Sequence, residues 1–458
     1  MIKYFSALLI GFGSIGLVKA QNDSTAESIR EIYNLALNEQ QGYKWLGELC
    51  GLGPRFAGSE QATSSLLYFK AKLDSMGFKT SLQAVKVPHW VRGSQEKAWI
   101  VEGIDETEMA ITALGGSIAT PAGGLQAQVV EIPSFEALDT LDLEGKIAFY
   151  NIPMDPTYIN TGFAYGSAVK QRWGGTIEAA KKGAIGVVIR SLSSSINKYP
   201  HTGSMRYAPD VKKIPSGALS TYDAELLHRS LKENPDLLVK FQINSEWLDS
   251  NYSYNLIADL PGSERPEEII LVSGHIDSWE LGTGAHDDGA GSMHALESLH
   301  LLKKLNYPIK RTLRLVWYMN EEFGLSGAKV YARNAKNMEM RHVIAMESDG
   351  GGFTPKGISM QTSPEMVERI KGYRKLLEPY GIYQFSSGGS GADIGQLQSD
   401  DIVLIGLRPD SHRYFEVHHS ALDTFESVNP REFTMGSATL ASLIWLLDRD
   451  NVCFNCGG

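Results

Sequence analysis

The chain has 458 residues, 43% of them hydrophobic and 21% charged, with a formal net charge of −10. This is the composition of a globular protein with ample core, long enough for about three domains of roughly 150 residues. The acidic balance and the lack of a long basic run argue against nucleic acid as a partner.

The first twenty residues read as a targeting segment. Lys3 supplies a short positive region, residues 7–18 an apolar stretch, and Val18-Lys19-Ala20 a small-residue cleavage site before Gln21. The stretch falls short of the ~20 residues a membrane span needs, and polar residues follow at once. A cleaved signal peptide over 1–20 is expected, leaving a secreted, periplasmic or lumenal chain with no membrane partner. Next, Ile29, Ile32, Tyr33, Leu35 and Leu37 stand at helical spacing and predict a helix within 25–48. A Gly-rich turn over 51–58 leads into a second helix over 59–76, stopped by Gly77. Residues 21–90 are expected to form the N-terminal part of a catalytic domain.

Residues 91–245 differ in character. Strand-like runs at 129–132 and 146–150 alternate with Gly and Pro turns, and a helix over 176–182 leads into a strand at 187–189. This is a β-rich insert with a small βαβ element, and it holds no His or acidic cluster of catalytic kind. From 246 to 458 the chain alternates strand and helix. Strands are expected at 255–260, 269–272, 313–319, 343–346 and 403–406, and helices at 291–305, 325–334, 365–377 and 430–447. The expected architecture is α/β: a mostly parallel, mixed sheet with helices on both faces, built from both ends of the chain and interrupted by the insert. Of three cysteines, Cys453 and Cys456 form a CxxC pair that suits a local disulfide or free thiols, and Cys50 stands alone.

The chemistry concentrates where the predicted strands end, the edge at which open α/β sheets bind ligands. Five His or acidic residues stand at such strand ends or in loops: His275, Asp287, Glu322, Asp349 and His419. Imidazole and carboxylate alone are the ligand set of a hydrolytic zinc centre. Five ligands, one of them bridging, make two three-ligand sites for two Zn2+ that share a water. Asp277, two residues after His275, suits a carboxylate that fixes the imidazole tautomer. Glu321, beside Glu322, suits the general base that takes a proton from the activated water and passes it to the leaving amine. Taken singly, His89, His201, His228, His294, His300 and His342 read as surface or satisfied core residues. His286 and His418 adjoin ligands and suit supporting positions, and His412 faces the cleft or solvent.

In this order, His-x-Asp, Gly-Ala-x-Asp-Asp, Glu-Glu, Glu-Ser-Asp and His-Ser-x-x-Asp-Thr make the chain resemble the co-catalytic di-zinc aminopeptidase and carboxypeptidase family. Gly274-His-x-Asp-Ser-Trp279, Met346-Glu-Ser-Asp349, Gly53-Pro-Arg-x-Ala-Gly-Ser59 and Asn255-Leu-Ile-Ala-x-Leu-Pro-Gly262 resemble a carboxypeptidase branch of it, over essentially the whole mature chain. The resemblance implies one zinc on His275, Asp287 and Asp349, and the other on Asp287, Glu322 and His419, with Glu321 as base. It further implies a cis peptide at Asp287–Asp288 and a protease-associated type of insert, marked by Leu143-Glu-Gly-Lys-Ile147. Ala421-Leu422 departs from the His-Gly that the branch tends to carry, so specificity differs there.

The expected function is a secreted zinc exopeptidase acting on short peptides or dipeptides, as a carboxypeptidase or, alternatively, an aminopeptidase. An aminopeptidase needs acceptors for the substrate ammonium, whereas a carboxypeptidase needs cations or N–H groups for the free carboxylate. Arg408 and Arg413 are placed for the second task. Two more distant readings, a one-zinc glutaminyl cyclase and a non-catalytic ectodomain, fit less well with the full ligand pattern. The insert shapes substrate access or supports a homodimer, and its residues favour neither. No Gly-x-Gly-x-x-Gly or Gly-x-Ser-x-Gly suggests a dinucleotide or serine-nucleophile site.

Overall fold

The computed structural model describes residues 10–454, with side chains from Ser24 onward. The leader expected over 1–20 lies outside the residues whose side chains are described, and so does Cys456. Among the described residues no helix is long and apolar enough to cross a membrane. Cys453 is disulfide-bonded, and Cys50 is a buried free thiol.

Eight strands form the larger sheet, in the order Lys79–Val91, Glu246–Leu260, Arg311–Tyr318, Arg265–His275, Arg341–Glu347, Val403–Pro409, Pro355–Gln361 and Gln384–Ser387. The run from Arg311–Tyr318 to Val403–Pro409 is parallel, and antiparallel pairs flank it on both sides. The sheet is thus mixed with a parallel centre, as the strand–helix alternation predicts. Its central strands are apolar on both faces because both are covered. Ile270, Val272, Leu315, Trp317, Ile344 and Met346 pack with helices Ala290–Lys304 and Pro430–Arg449. Their neighbours Ile269, Leu271, Val316, Tyr318 and Ala345 pack under helix Ser326–Ala335.

Capping residues set the helix ends. Ser59 accepts from the Ala62 N–H to start helix Glu60–Ser75, and Gly77 beyond its end takes a positive φ of 81°. Asn429 caps the closing helix through the N–H groups of Arg431 and Glu432, with Pro430 at its first position. Two expected helices are broken. The first divides into Ile10–Glu39 and Gln41–Gly51 at Gln40, whose φ is 49°. The helix expected over 365–377 divides into Pro364–Lys371 and Arg374–Leu377. Strand Lys79–Val91 was not anticipated. It pairs with Glu246–Leu260 along most of its length at the sheet edge, where partial exposure blurs the alternation.

The second sheet has the order Asp105–Met109, Glu96–Glu102, Leu238–Ile243, Leu125–Ile132, Ile147–Tyr150, Gly186–Arg190, Ser216–Leu219 and Ile111–Ala113. Its core, built on residues such as Val129, Phe149, Val188 and Phe241, also takes in Phe56 and Trp279 from loops of the larger sheet. The two sheets therefore share buried apolar surface beside the strand ends that carry the chemistry.

Candidate metal centre

His275 ends strand Arg265–His275 and is buried. The loop that follows is clamped by the fully buried guanidinium of Arg55, which donates to the carbonyls of Ile276 (2.7 Å), Thr283 (2.6 Å) and Gly284 (2.9 Å). A short turn, Ala285–Gly289, then delivers Asp287 and enters helix Ala290–Lys304. The Asp287–Asp288 peptide is cis, as the resemblance implies. The Asp423 carboxylate accepts the N–H groups of His286 (2.6 Å) and Asp287 (3.1 Å), one on each oxygen. Asp288 accepts the N–H of His275 (3.1 Å) and of Gly291 (2.9 Å). Gly291 is needed for this approach, since a Cβ there would fall 1.8 Å from the Ser348 carbonyl oxygen.

The five residues singled out as ligands come together. His275 Nε2 lies 3.2 Å from Asp287 Oδ1 and 3.8 Å from Asp349 Oδ1. His419 Nε2 lies 3.2 Å from Asp287 Oδ2 and 2.9 Å from Glu322 Oε2. Asp287 thus turns one oxygen to each imidazole, the disposition of a bridging carboxylate. Ligand atoms tetrahedral about a zinc at 2.0–2.1 Å stand about 3.3 Å apart, close to most of these spacings. Asp287 Oδ2 and Glu322 Oε1 are buried without a hydrogen bond. Donor set, spacing and orphaned oxygens all fit a pair of divalent cations.

His418 also approaches, with Nε2 3.6 Å from Asp287 Oδ2, and Asp287, His418 and His419 lie close enough to hold an ion. Its ring is stacked on that of His419, centroids 3.6 Å apart and planes 19° from parallel. Lone pairs lie in the ring planes, so two stacked imidazoles do not converge on one ion. Glu322 suits the position better.

Asp277 supports the centre in a different way from that expected. The Nδ1–H of His275 donates to the Asp277 main-chain carbonyl (2.9 Å), while the carboxylate lies 3.8 Å away. That carboxylate instead accepts the N–H groups of Asn320 (2.6 Å), Glu321 (3.1 Å) and Glu322 (3.3 Å). Three main-chain donors at a sharp turn, where Asn320 has a φ of 68°, claim both its oxygens. Asp277 thereby fixes Glu321 and Glu322 together.

The electrostatics follow from burial. Burial pushes the Glu321 carboxyl well above the ordinary carboxylate range, with Asp349 and Glu322 adding repulsion against the pull of His275. Burial would raise Asp287 too, yet the imidazoles against it hold it well below that range. Asp349 is raised by burial and by Asp287. So dense a set of buried carboxyls is unfavourable without cations.

Several residues at the site were given no role there from the sequence. Arg172, from the insert, is buried with Nη1 3.3 Å from His419 Nδ1, and its Nε has no partner. Among the described residues no carboxylate pairs with it. The insert also supplies His201, whose Nδ1–H donates to the His418 carbonyl (2.6 Å), and Thr202, whose N–H donates to the His419 carbonyl (2.9 Å). Trp279 donates its indole N–H to Glu322 Oε2 (2.7 Å). The two arginines considered from sequence separate. Arg413 pairs at the surface with Glu432 (2.5 Å), whereas Arg408 lines a cavity of about 390 Å³ beside Asp349. His412 is exposed.

Comparison with known proteins places this geometry. A family model described as Peptidase family M28 matches residues 255–444. The chain is 34% identical over 432 residues to carboxypeptidase Q of Bos taurus, covering 93% of this chain and 89% of that one. It is 34% identical over 437 residues to carboxypeptidase Q of Homo sapiens, with 94% and 90% covered. Among solved structures, a Peptidase M28 precursor from Shewanella amazonensis is 34% identical with a TM-score of 0.88, covering 93% of this chain and 97% of that one. A zinc aminopeptidase from Bacillus subtilis shares the fold, at 18% identity and a TM-score of 0.61, with 88% and 94% covered.

Proposed function

The chain belongs to peptidase family M28 and is a metallo-exopeptidase, and on that premise we propose that it is an exported di-zinc carboxypeptidase acting on short peptides or dipeptides. His275, Asp287 and Asp349 would hold one ion, and Asp287, Glu322 and His419 the other. Bound there, the pair supplies an activated water and polarises the scissile carbonyl. Glu321 takes the proton of the attacking water and hands it to the leaving amine. Asp277 keeps Glu321 in register with Glu322.

The observation that carries the carboxypeptidase direction is Arg172. A buried guanidinium without an ion-pair partner, at the edge of a catalytic centre, suits the carboxylate of a substrate end. Tyr165, His419 and Gly203 stand around it. The second sheet, read as a protease-associated type of insert, thus contributes to substrate binding. The leader over 1–20 would direct the chain out of the cytoplasm.

Mass spectrometry of an unblocked tripeptide, incubated with and without a zinc chelator, tests this reading. Loss of the C-terminal residue first, abolished by chelation, is expected. Loss of the N-terminal residue first would move the enzyme to the aminopeptidase side. Two zinc ions per chain are expected by elemental analysis.

A further inference from the structure

Arg92 directly follows strand Lys79–Val91, at the point where the chain leaves the larger sheet for the insert. Its guanidinium is buried and reaches separate segments of the chain. Within the insert, Nη1 donates to Thr112 Oγ1 (2.8 Å) and the Ala113 carbonyl (2.6 Å), with Glu96 Oε1 beside it at 3.2 Å. Nη2 donates to Thr202 Oγ1 (3.1 Å), on the insert loop that touches the metal centre. Nε donates to Glu280 Oε1 (3.1 Å), on the loop of the larger sheet that follows His275. Every nitrogen of the fork is engaged, and the group also lies over the Trp279 ring, 5.9 Å from its centroid.

Two of those contacts lead on to proposed metal ligands. Glu280 adjoins Trp279, whose indole N–H donates to Glu322 Oε2 (2.7 Å). Among the described residues Glu280 has no hydrogen-bond partner but Arg92, and its Oε2 is buried without one. On the other side, the Thr202 N–H donates to the His419 carbonyl (2.9 Å), and the Thr202 carbonyl lies 3.3 Å from His419 Nδ1. With Nε2 turned to Asp287 and Glu322, Nδ1 carries the ring proton. The Thr202 carbonyl therefore sets the His419 ring as the Asp277 carbonyl sets that of His275. Thr202 Oγ1 is itself fixed, donating to the Ala113 carbonyl (2.8 Å) while it accepts from Arg92. One guanidinium thus braces the supports of both Glu322 and His419. Among the described residues it makes no such bond to the supports of His275 or Asp349.

We propose that Arg92 is the positioning residue of one half of the centre, setting the affinity of the ion on Glu322 and His419 and not that of the ion on His275 and Asp349. The proposal rests on the two-zinc reading above and deepens it. A ligand braced before the ion arrives loses less freedom when it binds, so its supports raise affinity without touching the metal. Arginine suits the task because its rigid planar fork directs donors at several acceptors at once, which a lysine ammonium does not.

The test is a titration of the metal-free protein with Zn2+ against a chromophoric chelator, which reads both binding constants. In Arg92→Gln one affinity is expected to fall about 10- to 100-fold, the usual cost of losing a group that orients a ligand, while the other holds. Arg92→Lys should recover part of the loss. His419→Gln identifies the half concerned, since the ion it retains should bind equally well with or without Arg92→Gln. Excess zinc should return most of kcat to Arg92→Gln, which damage to the fold would not allow. Thr202→Val removes only the hydroxyl that Arg92 grips and should weaken the same ion towards the lower end of that range, so the test stands even if Arg92→Gln does not fold. Equal weakening of both ions, a kcat that excess zinc does not restore, or unaltered affinities in either variant overturns the proposal. A wild-type chain that takes up a single ion would instead overturn the two-zinc reading itself.

Discussion

Glu297 offers a test of the packing beneath the site. It sits on helix Ala290–Lys304, fully buried, with its carboxylate against the first turn of helix Gln41–Gly51. Gly42 makes that approach possible, since a Cβ there would lie 2.3 Å from Glu297 Oε2. Burial pushes the carboxyl up from 4.5 to about 7, against the pull of the Gly42 and Gln41 N–H groups and the Ser437 hydroxyl. The folded state therefore prefers the protonated acid. The stability this contributes is fully present below pH 4.5 and is lost as pH rises through about 7. A shift of 2.5 units, 7 less 4.5, corresponds to about 3 kcal/mol between the two limits. Glu297→Gln removes the titration and keeps the shape. Metal-free wild type and variant should be unfolded in urea at pH 4.5 and pH 8.5. The variant is expected to gain about 3 kcal/mol on the wild type between the two pH values. Comparing the two pH values cancels any fixed cost of placing an amide beside the N–H groups. Parallel pH dependence in both proteins would refute the reasoning. The effect matters for function because Leu46 and Leu49 of the helix that Glu297 abuts pack near Gly289, two residues from Asp287.

Two further outcomes are expected. Glu321→Gln should retain both zinc ions by elemental analysis while kcat falls about 10²- to 10⁴-fold, the usual range for loss of a general base. Normal turnover in that variant would remove Glu321 from the mechanism. Gly203→Ala would place a Cβ 2.4 Å from Arg172 Nη1 and 2.7 Å from His419 Nδ1, at a φ of 130°. It should raise KM for peptides with a free C-terminus more than it alters KM for their amides. Equal effects on both would point to general disruption.

The proposed ligands could be grouped from sequence because His275, Glu322 and Asp349 closely follow apolar strand runs, while Asp287 and His419 come from polar turns, Asp287 from Ala285–Gly289 and His419 after Tyr414–Val417. His275, Asp287, Glu322, Asp349 and His419 needed only order and chemistry to be grouped. Asp277 shows the limit of such reading. Its spacing from His275 indicated support for that ring, but which of its oxygens gives that support depends on how the chain turns at Asn320. Arg172 lay out of reach altogether. It lies in a one-turn helix, Lys170–Trp173, in an insert with no acidic or His cluster, and 247 residues separate it from the His419 that it touches. Strand Lys79–Val91 escaped for a simpler reason, since a half-exposed edge strand has no clean alternation.

The insert has more than a covering role. Trp279 packs into the core of the second sheet and donates its N–H to Glu322, so the seating of the insert reaches one proposed ligand directly. Thr202 and His201 hold the main chain at His419 and His418, and Arg172 lies against the His419 ring. Gly115 of the insert leaves room for the Trp279 ring, where a Cβ would fall 2.0 Å away. By contrast, His275 and Asp349 are held within the larger sheet, by Asp277, Asp288 and the strand ends themselves. The two halves of the centre thus depend on different parts of the chain. Loosening the insert should weaken the Glu322–His419 half first and leave the His275–Asp349 half intact. A zinc titration of insert-interface variants such as Gly115→Ala should then lose one ion before the other, whereas equal loss of both would show that the halves are held as one.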